Sequence, residues 1–158
     1  MEYLLDTNIL TAILKKDSRL FDKLNDVNAR EEQLFISCIT YFESEGGLLA
    51  IKSQKKLAIL ENLCKKELKI LFLDRIEIIN IAPGIYADLR SKRTPIQFPD
   101  ILIAATAIYH NLVLVSNDSD MSRIEELIWE NWLQELHDNC IEKRKRSLQI
   151  LLKDENAL

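Results

Sequence analysis

Glycine and proline are scarce in this chain, three of each among 158 residues. That scarcity argues against long loops and for short connections between many helices. Cysteine is too sparse for a disulfide framework. Cys38, Cys64 and Cys140 are odd in number, widely separated and without zinc or redox spacing, so they read as reduced, mostly buried thiols. His110 and His137 stand alone, which excludes a paired-histidine metal site and leaves neither with a catalytic role. There is no Gly-rich phosphate loop and no Gly-x-Ser-x-Gly elbow. No apolar run reaches the length of a membrane span and the N-terminus lacks a signal-peptide layout, so a cytoplasmic location with no membrane association is expected. Internal repeats and low-complexity linkers are also missing.

What remains is a chain of one-domain size with 47% apolar and 29% charged residues, enough for one substantial core. Its net charge of −4 does not advertise a nucleic-acid binder. It does not exclude one, because acids gathered in a site can mask basic surface elsewhere.

The chain begins with a short apolar run, Tyr3-Leu4-Leu5, that stops at Asp6 and passes straight into a helical pattern through Ile9, Leu10, Ile13 and Leu14. The run predicts a buried strand, and Asp6 and Thr7 read either as helix caps or as site residues at a strand's carboxyl end, where open α/β sheets place ligands. Further buried strands are predicted at 33–38, 68–74, 112–116 and 127–129, separated by helical patterns. Strands alternating with helices predict an α/β/α sandwich on a mainly parallel sheet. Gly46 and Gly47 inside a helical pattern cost roughly 1 kcal/mol each relative to Ala, which suggests close backbone approach, a bend, or room for a bound group. Pro83 falls within one continuous helix with a possible kink. Pro99 suits a first helical turn, placing Asp100 in that turn of a helix apolar almost all round. Arg90, Lys92 and Arg93 read either as a helix end favoured by the dipole or as phosphate contacts. From Leu133 an amphipathic helical tail is predicted; its basic run Lys143-Arg144-Lys145-Arg146 is either a solvated face or a patch for RNA or a partner.

Acids recur at comparable places: Asp6 after the first strand, Glu43 early in the helix after the second, Asp100 in the first turn of the buried helix, and Asp118 after the fourth strand. Each has an ordinary reading as a cap, dipole or surface residue. Together they predict a cluster. Two carboxylates about 4 Å apart repel by roughly 4 kcal/mol at an effective dielectric near 20, so several together need protons or a cation. Oxygen ligands of this kind suit Mg²⁺ or Mn²⁺, ions that activate water and steady a phosphoryl group.

These residues resemble the PIN-domain ribonucleases, in particular the VapC-type toxins of toxin–antitoxin pairs. The similarity runs through Leu4-Leu5-Asp6-Thr7-Asn8-Ile9-Leu10, Ile36-Ser37-Cys38-Ile39-Thr40-Tyr41-Phe42-Glu43 with Gly47, Pro95-Ile96, Asp100-Ile101-Leu102-Ile103-Ala104-Ala105-Thr106-Ala107, Leu114-Val115-Ser116-Asn117-Asp118 and Glu130-Asn131-Trp132. It covers nearly all of residues 1–132, expected to be the nuclease domain, with 133–158 as a helical extension. The resemblance implies a three-layer sandwich on a five-stranded sheet and an acidic pocket that binds Mg²⁺ or Mn²⁺ and cuts RNA. By the same resemblance, Asp6, Asp100 and Asp118 hold the metal and Glu43 holds or deprotonates water, while Thr7, Asn8 and Ser116 orient the carboxylates. It further implies a cognate antitoxin and a homodimer, and leaves Arg90, Lys92, Arg93, Lys15 and Lys16 as candidates for the RNA backbone.

Two departures stand out. Phe98 occupies a place where many relatives carry a further acid, which lowers the pocket charge and leaves one ion or two open. The turn after Ser116 is a residue shorter than usual, so Asp120 rivals Asp118. The alternative to a nuclease is a PIN-like RNA- or protein-binding module with weakened catalysis. A phospho-acceptor receiver domain is a poor fit, because no lysine follows the fourth strand.

Overall fold

Strand β1 (Tyr3–Leu5) lies at the centre of a five-stranded sheet in the computed structural model, which describes residues 1–134. The remaining strands are β2 (Leu34–Ser37), β3 (Leu68–Leu71), β4 (Val113–Val115) and β5 (Trp129–Glu130), in the spatial order β3-β2-β1-β4-β5. Every pairing is parallel, with Tyr3 opposite Leu34 on one side and Val113 on the other. Six α-helices connect them: α1 (Thr7–Leu14), α2 (Phe21–Ala29), α3 (Cys38–Ala50), α4 (Gln54–Lys66), α5 (Ile76–Ser91) and α6 (Phe98–His110). The expected α/β sandwich with a parallel five-stranded sheet is the fold observed.

The strands read as unbroken apolar runs because both faces are covered. Tyr3, Leu5, Val113 and Val115 pack under Ile9, Leu10, Val27, Leu48 and Leu60 of α1 to α4. The alternate residues Leu4 and Leu114 pack under Ile78, Leu89, Ile101, Ala104 and Ala105 of α5 and α6. Small residues on α6 allow it to lie close to the sheet. From β1 the order runs to β2 on one side and to β4 on the other. The opening between β1 and β4 is therefore a topological switch point, the place where sheets of this kind hold ligands.

Helix ends explain how the chain manages with so little glycine. Lys16, Glu31, Lys52, Arg93 and Asn111 each follow a helix with φ between 53° and 59°. In every case that residue's N–H and the next one bond back to the last turn, as in Lys16 to Ile13 and Asp17 to Ala12, or Asn111 to Ile108 and Leu112 to Ala107. This is the Schellman stop, normally made by glycine, and each non-glycine residue there costs about 1 kcal/mol.

Several expectations need correction. The last strand is Trp129–Glu130, not 127–129. A Cβ added at Gly46 or Gly47 would meet nothing within 4 Å, so no backbone approaches them and the close-approach reading is wrong. Cys38 and Cys64 are half-buried, not buried. The single helix expected through Pro83 is observed, as α5 from Ile76 to Ser91. Trp132 and Leu133 are buried in the core, with Trp132 edge-on to Tyr3 at 5.0 Å. The rest of the expected tail, with its basic run 143–146, lies outside the described residues.

Candidate active site

Parallel strands all end on the same edge, and the residues that follow them meet there. Asp6 follows β1 and caps α1, Ser37 ends β2 and caps α3, and Ser116 follows β4. Glu43 stands in the second turn of α3, Asp100 in the first turn of α6, and Asp118 caps the 3-10 turn Ser119–Arg123. Asp6, Glu43, Asp100 and Asp118 line one open cleft of about 460 Å³ together with Thr7, Asn8 and Thr11. The helix ends that bring Asp6 and Asp100 there are N-termini, whose partial positive charge offsets part of the carboxylate charge.

A polar network fixes the Asp6 side of the cleft. Asp6 Oδ1 accepts from the Thr7 N–H at 2.7 Å; Oδ2 accepts from Asn8 Nδ2 at 2.7 Å and from Ser116 Oγ at 2.6 Å. Ser116 Oγ in turn accepts from Asn8 Nδ2 and from the Asp118 N–H, at 3.1 and 3.0 Å. Asn8 Oδ1 accepts from the Asn117 N–H at 2.8 Å, and Asn131 Nδ2 donates to Asn117 Oδ1 at 3.0 Å. Across the cleft Thr7 Oγ1 donates to Glu43 Oε2 at 2.5 Å. Thr7, Asn8 and Ser116 thus touch the carboxylates directly. A carboxylate has about four acceptor sites, so three bonds leave Asp6 roughly one, on Oδ1.

The Asp100 carboxyl makes no hydrogen bond among the described residues. Burial pushes its carboxyl up to about 6, helped by the charges of Asp6, Asp118, Glu43 and Asp120. Asp6 is also raised, first by burial and then by Glu43, although the hydrogen bonds from Ser116, Thr7 and Asn8 hold it down. The ion pairs of the described residues lie elsewhere, and none reaches Asp6, Glu43, Asp100 or Asp118. The four acids are therefore left without a cationic side chain.

The donor set is all oxygen, which fits a hard divalent cation. No three acids, histidines or cysteines among the described residues stand as a ready-made chelate. They ring the cleft instead, and side-chain rotation of Asp100, Asp118 and Glu43 towards the pinned Asp6 would be needed to close on one ion. Asp120 stands apart from this lining; it pairs with Arg123 at 2.7 Å and its N–H donates to Asp118 Oδ1 at 2.8 Å. Phe98 lies outside the cleft as well, 69% exposed.

The basic candidates divide. Lys15 lines a groove that adjoins the acidic cleft, sharing Thr7, Thr11 and Glu43 with it. Lys92 is held by Asp88 and Glu125, each at 2.7 Å. Arg90 donates to the Tyr86 hydroxyl at 2.9 Å and is otherwise exposed. Lys16 and Arg93 sit in the left-handed positions that stop α1 and α5. Two groove residues were not anticipated: Thr11, one turn on from Asn8, which helical spacing could have flagged, and Lys56 on α4, whose place depends on how α4 packs.

The PIN domain profile matches residues 3–127. Ribonuclease VapC2 of Rickettsia felis is 34% identical over 140 residues, covering 84% of this chain and 98% of that protein. Ribonuclease VapC2 of Haemophilus influenzae is 31% identical over 144 residues, covering 84% of this chain and 99% of its own length. The crystal structure of VapBC2 from Rickettsia felis bound to a DNA fragment from its promoter contains a chain similar in shape, with a TM-score of 0.75 and 28% identity. That likeness covers 84% of this chain and 99% of the other.

Proposed function

The chain belongs to the PIN-domain family, and from that premise we propose that it is an endoribonuclease, dependent on Mg²⁺ or Mn²⁺, that acts as the toxin of a toxin–antitoxin pair. The observation that carries the reading is the convergence of Asp6, Glu43, Asp100 and Asp118 on one cleft with no lysine or arginine paired to them among the described residues. The ribonuclease relatives and the VapBC neighbour support the same activity and a cognate antitoxin. The nuclease unit is residues 1–132. No helix among the described residues is long and apolar enough to cross a membrane.

Asp6, Asp100 and Asp118 would hold the cation. When bound, such an ion activates water and stabilises charge on the phosphoryl group. Asp6 presents Oδ1 from a fixed position because Ser116 and Asn8 occupy Oδ2. Glu43 is oriented through Oε2 by Thr7, which leaves Oε1 to accept a proton from attacking water. Lys15, Lys56 and Arg90 supply positive charge for the RNA backbone around the acidic centre. A homodimer brings two such clefts together, and the exposed Phe42 and Leu49 of α3, with Ile51 just past its end, offer apolar surface that a protein partner would cover.

The test is direct. Chelator-treated protein is mixed with single-stranded and structured RNAs, with and without Mg²⁺ or Mn²⁺. Metal-dependent cutting that disappears in Asp6→Asn supports the nuclease. Tight binding without cutting, or cutting that survives both chelation and Asp6→Asn, overturns it.

A further inference from the structure

Two residues before Asp100, the chain presents an aromatic ring to solvent. Phe98 is 69% exposed, a costly place for a phenyl group unless something covers it. Its ring does not lie flat on the protein in isolation. It stacks on Tyr86 of α5, with centroids 5.6 Å apart and planes 21° from parallel. Arg90, one turn beyond Tyr86, sits over the Tyr86 ring at 5.7 Å and donates to its hydroxyl at 2.9 Å. Beside the pair lies an apolar groove of about 300 Å³ lined by Ile79, Pro83, Tyr86, Phe98 and Leu102. Among the described residues Arg90 forms no ion pair, so its charge is available at the rim.

We propose that Phe98, backed by Tyr86, is a stacking platform for one unpaired nucleobase of the RNA, next to the nucleotide whose phosphate reaches the acidic cleft. The proposal rests on the ribonuclease reading above and adds to it a subsite that sets which nucleotide is cut. Bases have a flat apolar face, and so does this platform. The nearly parallel stack extends the aromatic surface in the direction a base would continue. Arg90 provides the complementary charge for a flanking phosphate, and an arginine beside aromatic rings is a usual arrangement where single strands are bound. Phe98 and Asp100 stand two residues apart in the first turn of α6, so the ring and the acid belong to the same end of that helix. The α6 N-terminus is rigid, because Ile101, Ile103 and Ala104 behind it are buried.

The experiment uses the full-length chain and short single-stranded RNAs that carry one 2-aminopurine, moved stepwise across the cleaved bond. Stacking quenches 2-aminopurine fluorescence, so one or two positions beside the cut should darken on binding. Phe98→Leu should remove that quench and weaken binding by about 5- to 150-fold, the range that corresponds to ~1–3 kcal/mol for a base on an aromatic ring. Phe98→Trp should restore both. An abasic nucleotide at the darkened position should weaken binding to the wild type and leave Phe98→Leu unaffected. The ring is solvent-exposed, so a thermal melt of Phe98→Leu should match the wild type. Quenching that is unchanged in Phe98→Leu overturns the platform. So does a shift of Phe98→Leu to a smaller species in sedimentation, which would make this face a contact between protein chains. If the wild type neither binds nor cuts RNA, the nuclease reading falls; if it cuts RNA and Phe98→Leu binds and cuts equally well, only the platform falls.

Discussion

Asp6 and Asp100 face the same cleft and are held in opposite ways. Asp6 is buried and carries three hydrogen bonds from Thr7, Asn8 and Ser116. Asp100 is half-buried and carries none, yet it is the carboxyl pushed up to about 6. Burial alone would predict the reverse order. The difference is made by donors: hydrogen bonds to the charged form replace the water that Asp6 lost, and nothing does so for Asp100. On one side of the cleft hydrogen-bond donors offset part of what burial costs the charged carboxylate, and on the other only a cation would do so.

The sharpest way to break the comparison is to neutralise each acid in turn. Asp6→Asn and Asp100→Asn should each lower single-turnover RNA cleavage by about 10³-fold or more, equivalent to ~4 kcal/mol of lost charge stabilisation. Their effects on the metal-free fold should have opposite signs. In Asp6→Asn the amide brings N–H groups against donors that need an acceptor, and a buried unsatisfied group costs about 1–3 kcal/mol, so the melting temperature should fall. Asp100→Asn removes a charge that the fold resists, so its melting temperature should rise at pH 7 to 8. Equal signs would mean that the two sides are not distinct.

The pH dependence follows from the same contrast. Asp100 binds its proton more tightly folded than unfolded, since its carboxyl moves from an ordinary 3.8 up to about 6. Its contribution to stability is complete below the lower of these values and is lost as the pH rises through the upper one. Metal-free protein should therefore lose stability from about pH 4 to 7, and Asp100→Asn should flatten that slope. Saturating Mg²⁺ should restore stability at pH 7.5, by about 2.7 kcal/mol at a hundred times its dissociation constant. A wild-type melting curve indifferent to both pH and Mg²⁺ would sink the idea that the cleft is charge-strained.

The sequence made much of this arrangement legible, for physical reasons. Continuous apolar runs ending in Asp6, Ser37 and Ser116 announce parallel strands whose ends share an edge, and Pro99 put Asp100 in a first turn. The acids could therefore be named before any coordinates. What could not be read was how helix faces turn. Lys56 looks like any lysine of an amphipathic helix until α4 packs against α3. The Phe98–Tyr86 stack joins residues on two helices through a loop whose course no local pattern specifies. Gly46 and Gly47 misled because their helical cost invites a packing explanation, whereas both face open space. The left-handed helix stops at Glu31, Lys52 and Arg93 were hidden too, since residues other than glycine or asparagine rarely announce such a turn.

Smaller substitutions sharpen the contrast between the supported acid and the unsupported one. Ser116→Ala deletes a donor to Asp6 Oδ2 and an acceptor for the Asp118 N–H, while leaving every carboxylate in place. It should weaken divalent-ion binding by about 10- to 100-fold, as loss of a ligand's orienting partner usually does. The melting temperature should also drop, because Asp6 keeps its burial and loses a donor. The smallest effect should come from Asp120→Asn. Its carboxylate belongs to a surface pair with Arg123 outside the cleft, whereas Asp118 lines it. Exposed pairs of this kind contribute little, and the Asp120 N–H that bonds Asp118 is a backbone group that the substitution keeps. Cleavage rate and Mg²⁺ affinity should stay within about threefold of the wild type, a window of ~0.7 kcal/mol. Asp118→Asn, measured beside it, should lose more than tenfold in ion affinity. If the two variants exchanged places, the short turn after β4 would have handed the metal-holding position to Asp120, and the cleft would have to be redrawn around it.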